Sequence, residues 1–71
     1  MEFEKRLRSA RMERGLTQSA LADIIGISLR SYQCYEQGTR RPPYETLIAL
    51  ADELNLSLDY LLGRDQFLEN R

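Results

Sequence analysis

The feature that most restricts the fold of this chain is a lone glycine, Gly26, between two short amphipathic segments. The first predicts a helix over residues 18–25, whose expected buried stripe is Leu21, Ala22, Ile24 and Ile25. The second predicts a helix over residues 28–37 that buries Tyr32 and Tyr35. Each helix has only about two turns, so neither is stable alone and both must pack against the rest of the chain.

The flanking sequence predicts three further helices, over residues 3–13, 44–54 and 58–62, and no strand. Glycine, asparagine and hydroxyl residues mark the helix ends at Gly15, Thr17, Ser28, Gly38, Asn55, Ser57 and Gly63. The paired prolines of "TRRPP" predict a basic loop before the fourth helix. We therefore expect an all-α, compact five-helix fold with a single domain over residues 1–71.

Composition restricts the class of protein. Hydrophobic residues make up 42% and charged residues 30% of the 71 positions, which is typical of a small soluble globular domain. There is no apolar run long enough to cross a membrane, so no membrane partner is expected. The one cysteine, Cys34, has no internal disulfide partner, which favours the reducing cytoplasm. With no histidine, cysteine pair or glycine-rich phosphate loop, we expect no enzyme activity, metal or cofactor.

The charge of the chain is divided unevenly. Residues 1–41 carry eight Lys and Arg against five Asp and Glu, whereas residues 42–71 carry two against six. Such asymmetry suggests a basic face for a polyanion and an acidic face turned away from it. Ordinary solvated surface explains the same counts, and charge alone does not decide between the two interpretations.

Residues 18–35 fit a helix-turn-helix, in which the first helix holds the second in a DNA major groove. Ala22 is small where the two helices cross, and Gly26 supplies the positive φ that the turn needs. A major groove about 12 Å wide admits only a few residues of helix, which accounts for the short segments.

The segments "GLTQSALADIIGIS", "YEQGTRRP" and "LIALADELNLSLDYLLG" follow one another at the spacing of a known family. Through them the chain resembles, over residues 4–63, the lambda-repressor-like Cro/CI-type helix-turn-helix regulators, also called the XRE family. The resemblance implies a DNA-binding transcriptional regulator, most simply a repressor, that binds double-stranded DNA as a homodimer on a two-fold site. It would be nucleoid-associated when bound to DNA.

The resemblance also implies which residues meet DNA. Gln18 is similar to a glutamine that contacts phosphate and braces a side chain of the next helix, and Thr17 would cap its helix beside a phosphate. The outward face of the third helix would contact bases or backbone through Ser28, Leu29, Arg30, Gln33 and Cys34. Arg40 and Arg41 would contact the backbone from the following loop.

These roles have simpler alternatives. Arg30 can pair with guanine and Gln33 with adenine, and the alternative for Arg30 is a contact with phosphate alone. Leu29 can be a tolerated surface leucine, and Cys34 a small residue that fills space. Arg40 and Arg41 can serve only loop solubility.

Glu36 resembles a glutamate that pairs with an arginine of the first helix, which here is Arg11. A carboxylate close to DNA repels it unless neutralised, so we interpret this pair as a structural brace. Tyr32 replaces the β-branched aliphatic residue usual in the family, and its hydroxyl then needs a partner.

The resemblance places dimerisation after the fourth helix, at some of Leu56, Leu58, Tyr60, Leu61, Phe67 and Leu68. The simpler alternative is that Leu58, Leu61 and Leu62 close the core of the monomer. A second functional hypothesis is an antitoxin or anti-regulator that acts chiefly through a protein partner. Arg30 and Gln33 on the third helix favour DNA over this alternative.

Overall fold

The computed structural model describes residues 2–63, and every regular element within that range is an α-helix. In chain order the helices are α1 (Glu2–Glu13), α2 (Gln18–Ile25), α3 (Leu29–Gln37), α4 (Tyr44–Glu53) and α5 (Leu58–Leu61). The predicted all-α, five-helix fold is confirmed, and no predicted helix end is displaced by more than one residue.

Three of the helices begin at a hydroxyl side chain. Thr17, Ser28 and Ser57 each accept a hydrogen bond from the backbone N–H three residues later, at 3.0, 3.1 and 3.0 Å. Each such cap satisfies a backbone donor that has no partner inside the helix, and contributes about 1 kcal/mol. The sequence therefore sets the starting points of α2, α3 and α5 locally.

The turn between α2 and α3 depends on Gly26, which has the left-handed conformation with φ of 85°. The N–H groups of Gly26 and Ile27 both donate to the carbonyl of Ala22, at 2.9 and 3.0 Å. These two bonds close the end of α2 and direct the chain into α3. Residues with a side chain rarely adopt this φ, whereas glycine does so without strain.

The core lies between the helices and receives side chains from all of them. α1 packs against α3 and α5, α2 against α3 and α4, and α4 against α5. The buried apolar residues are Phe3, Leu7, Ala10, Leu21, Ala22, Tyr32, Tyr35, Leu50, Ala51, Leu54 and Leu61. One core thus fixes α2 and α3 relative to the other three helices.

Two predicted burial assignments are wrong. Ile24 was expected in the buried stripe of α2, but 49% of it is exposed. It follows Ala22 by two residues, which turns it by about 200° around the helix, away from the core. Leu62, which the simpler alternative placed in the core, is 40% exposed at the C-terminal end of α5.

Candidate nucleic-acid interface

α2 and α3 form the helix-turn-helix that the sequence predicts. Ala22 is only 1% exposed, so the two helices approach closely at this position. Tyr32 on α3 is completely buried, and Ile27 in the turn packs against the same core. The turn and the core together leave the opposite side of α3 facing outward.

The outward side of α3 displays most of the residues that the resemblance assigns to DNA. Leu29 and Arg30 are exposed, and Gln33 and Cys34, one turn further along, are half-buried. Spacings of three and four residues place these side chains on adjoining parts of one helix surface. Ser28 is also exposed, but its hydroxyl accepts from the Ser31 N–H and donates to the Ser31 Oγ at 3.0 Å. Its observed contacts are those of a cap.

The start of α2 lies next to this surface. Thr17 is exposed and caps the helix. The Gln18 amide lies between two side chains of α3, with its Nε2 3.0 Å from Glu36 Oε1 and its Oε1 3.4 Å from Gln33 Nε2. The unpaired backbone N–H groups of a helix start attract anions. The structure thus brings Thr17 and Gln18, at the start of α2, next to Gln33 in the middle of α3.

Beneath this surface, Arg11 of α1 and Glu36 of α3 form an ion pair. Arg11 Nε lies 2.6 Å from Glu36 Oε2, and Arg11 Nη2 lies 3.3 Å from Oε1. The arginine side chain is 12% exposed and the glutamate side chain 4% exposed. Arg11 Nη1 also donates to the carbonyl of Leu16 at 2.8 Å, which ties the loop before α2 to the same group.

The Glu36 carboxylate accepts two further hydrogen bonds, from the Tyr32 hydroxyl and from Gln18 Nε2. Burial alone raises the pKa of Glu36, but the hydrogen bonds from Arg11, Tyr32 and Gln18 outweigh it and bring the pKa below its ordinary value. Burial and the bond to Glu36 raise the pKa of Tyr32. The hydrogen bond to Glu36 raises the pKa of Arg11. At neutral pH, Glu36 and Arg11 are therefore charged and Tyr32 is neutral.

Sequence reasoning missed the partner of Tyr32, although it recognised that the hydroxyl needs one. The signal was present, because Tyr32 and Glu36 are four residues apart on one helix and so lie on the same face. It also missed Ser31, which shares the cap of α3 with Ser28.

Arg40 and Arg41 are exposed in the loop after α3, which is compatible both with a DNA contact and with loop solubility alone. A shallow cleft beside this loop is lined by both arginines and by Glu4 of α1. The carboxylate offsets part of the positive charge of the loop.

The residues predicted for dimerisation separate into three groups. Leu61 is completely buried in the monomer core, so its assignment to a dimer surface is wrong. Leu56 and Leu58 are partly buried against that core. Tyr60 is 38% exposed, and the Arg6 guanidinium lies over its ring, 4.5 Å from the ring centre. Phe67 and Leu68 lie outside the described residues.

Two other kinds of feature are absent from residues 2–63. No three of the His, Cys, Asp and Glu side chains in this range come close enough to hold a metal ion together. None of the helices here has the length and apolar character needed to span a bilayer.

Comparison with known proteins agrees with this geometry. The helix-turn-helix family model HTH_3 matches residues 7–61. The uncharacterized HTH-type transcriptional regulator YqaE of Bacillus subtilis (strain 168) is 45% identical over 60 residues, which are 84% of this chain and 52% of YqaE. The cryptic phage CTXphi transcriptional repressor RstR of Vibrio cholerae serotype O1 is 44% identical over 71 residues, which are 100% of this chain and 63% of RstR.

Among solved structures, the P22 c2 repressor in complex with synthetic operator 9T is similar, with a TM-score of 0.84 and 31% identity. The match covers 90% of this chain and 97% of the repressor chain. This chain spans about half to two thirds of the length of YqaE and RstR, 52% and 63%. Because the family model covers most of the chain and the fold matches throughout the helical region, this chain belongs to the HTH_3 (XRE) family of helix-turn-helix proteins.

Proposed function

We propose that this chain is a sequence-specific DNA-binding transcriptional regulator that represses transcription by occupying an operator. The observation that carries the proposal is the outward face of α3, where exposed Leu29 and Arg30 stand beside Gln33 on a helix fixed by α1 and α2. The similarity to RstR, named a transcriptional repressor, and to the operator-bound P22 c2 repressor supports the same function.

In this proposal α3 enters the major groove and the residues around it hold the backbone. Arg30 donates to the O6 and N7 atoms of a guanine, and Leu29 contacts a thymine methyl group. Cys34 packs against the edge of the same groove. The phosphates are contacted by the start of α2 and by the loop after α3, through Thr17, Gln18, Ser28, Arg40 and Arg41.

The test is selection of bound duplexes from a randomised pool, repeated at two salt concentrations. We expect one recovered motif and an affinity that falls steeply with salt, since each phosphate contact contributes about −0.9 to the slope of log K against log salt. Arg30→Ala should relax selection at one base position by about 1–3 kcal/mol. Arg8→Ala, which removes an exposed arginine from α1, is the matched control and should leave the motif unchanged.

We further propose that two copies bind a two-fold operator, with half-sites about 34 Å apart, since one short recognition helix contacts few base pairs. A two-fold symmetric motif in the selection, and a dimer on DNA in sedimentation, are the expected results. The compartment would be the cytoplasm, with the protein on the nucleoid when bound. A pool that returns no motif would refute the proposal and favour the alternative, an antitoxin or anti-regulator that acts on a protein partner.

A further inference from the structure

Three polar side chains connect the buried ion pair to the surface of α3. Gln18 Nε2 donates to Glu36 Oε1 at 3.0 Å, and Gln33 Nε2 donates to Gln18 Oε1 at 3.4 Å. We call Glu36, Gln18 and Gln33 the amide chain. Glu36 is the inner end of the amide chain, and its side chain is only 4% exposed. Gln33 is the outer end and lies beside the exposed residues of α3.

The direction of every hydrogen bond in the amide chain follows from its inner end. An ionised carboxylate only accepts hydrogen bonds, so Gln18 must turn its NH₂ group toward Glu36. The carbonyl oxygen of Gln18 then faces Gln33, and Gln33 must donate to it through Nε2. Gln33 keeps its own carbonyl oxygen and one N–H for a ligand outside the protein.

Glu36 holds this direction firmly because its environment contains only donors. Arg11 and Tyr32 both donate to Oε2, while Arg11 and Gln18 donate to Oε1. An arginine cannot accept a hydrogen bond, and the hydrogen bonds around the carboxylate keep it ionised at neutral pH. A flipped Gln18 amide would place its oxygen against the Glu36 oxygen and lose both bonds.

We propose that Glu36, acting through Gln18, fixes the orientation of the Gln33 amide and so makes Gln33 select adenine over guanine. This inference rests on the proposed function. Adenine presents an acceptor, N7, and a donor, the N6 amino group, which match the free N–H and the free oxygen of Gln33. Guanine presents two acceptors, and its O6 would face the Gln33 oxygen. Glu36 and Gln18 are positioning residues in this proposal, and Gln33 makes the base contact.

The experiment uses the operator recovered by selection and four duplexes that differ only at the base pair affected by Gln33→Ala. Competition binding should show that the wild type prefers adenine at this position by about 10-fold to 100-fold over guanine. Glu36→Gln should place its oxygen at the Oε2 position, which takes the shorter bond from Arg11 Nε and the bond from Tyr32, so its NH₂ group then faces Gln18 as a donor. Gln18 and Gln33 should then both reverse, and the preference should move from adenine toward guanine.

Two further variants separate orientation from stability. Ala51→Gly destabilises α4 by about 1 kcal/mol through helix propensity and further through the lost core methyl group, and should keep the adenine preference. Gln18→Met leaves Arg11, Tyr32 and Glu36 paired but breaks the amide chain, so the adenine preference should fall at this position alone. If Glu36→Gln does not fold, as judged by circular dichroism, Gln18→Met decides the question.

The inference is overturned if folded Glu36→Gln, or Gln18→Met, retains the adenine preference of the wild type. It is also overturned if Gln33→Ala relaxes no base position while the wild type still recovers a motif, and the proposed function survives that result. In the double variant Glu36→Gln with Gln33→Ala, the base preference should equal that of Gln33→Ala alone. A wild type that recovers no motif refutes the proposed function itself.

Discussion

The ion pair between Arg11 and Glu36 should dominate the stability of the contact between α1 and α3. We consider replacing each partner by methionine, which keeps an unbranched apolar side chain in the core and removes the charge. The perturbation is a double-mutant cycle of Arg11→Met, Glu36→Met and the double variant. Its readout is the free energy of unfolding.

The magnitude follows from the burial and the hydrogen bonds of the pair. Glu36→Met removes the carboxylate that accepts from Arg11, whose side chain is 12% exposed, and from the Tyr32 hydroxyl. Arg11→Met leaves the Glu36 carboxylate, whose side chain is 4% exposed, with only the Gln18 and Tyr32 donors. Breaking a buried pair from one side costs about 3–5 kcal/mol, and replacing both partners by apolar residues costs far less than the sum. We expect about 3 kcal/mol for each single variant and for the double variant as well.

Urea denaturation followed by circular dichroism measures all four proteins. A domain of this size has roughly 4–10 kcal/mol of total stability, so each single variant should unfold at a much lower urea concentration. The control is the Arg6–Glu2 pair of α1, 3.1 Å apart with side chains 23% and 63% exposed. Its coupling should stay below about 0.5 kcal/mol. Losses for Arg11 and Glu36 that add to within about 0.5 kcal/mol would refute the reasoning.

Three further predictions concern stability and are measured by the same denaturation. In the folded protein the pKa of Glu36 is lowered from 4.5. As the pH falls below about 4.5, Glu36 is therefore protonated in the unfolded chain before it is protonated in the folded protein. The wild type should therefore lose stability over that interval, and the Glu36→Met variant should lose less. Tyr32→Phe should cost about 1–2 kcal/mol at pH 7. Because the pKa of Tyr32 is raised above 10.0, that deficit should shrink above pH 10, and a constant deficit would contradict the assignment. Gly26→Ala should cost about 1 kcal/mol through the φ of 85° alone, since an added Cβ meets nothing within 4 Å. Gly26→Asn should cost less, and equal losses would argue against a backbone origin.

Local sequence signals predicted the helices well because the ends of each helix carry their own chemistry. Thr17, Ser28 and Ser57 begin helices with bonds that span three residues, and Gly26 ends one with a local change of φ. Periodicity was less reliable within a helix of eight residues, where Ile24 fits the pattern of an apolar stripe but faces outward. The sequence allowed Leu61 to lie either in a dimer surface or in the monomer core. The packing of α5 against α1 and α4 buries it in the core.

Capping, turn formation and amphipathic spacing act over a few residues, so local sequence was enough to predict the five helices, their order and the face of α3 that points away from the core. The polar groups that meet beneath that face depend instead on how the helices pack. Arg11 and Glu36 are 25 residues apart in the chain, and Gln18 and Gln33 are 15 apart. Their hydrogen bonds exist because α1, α2 and α3 pack against one core, and no local pattern encodes the direction in which an amide between them must point.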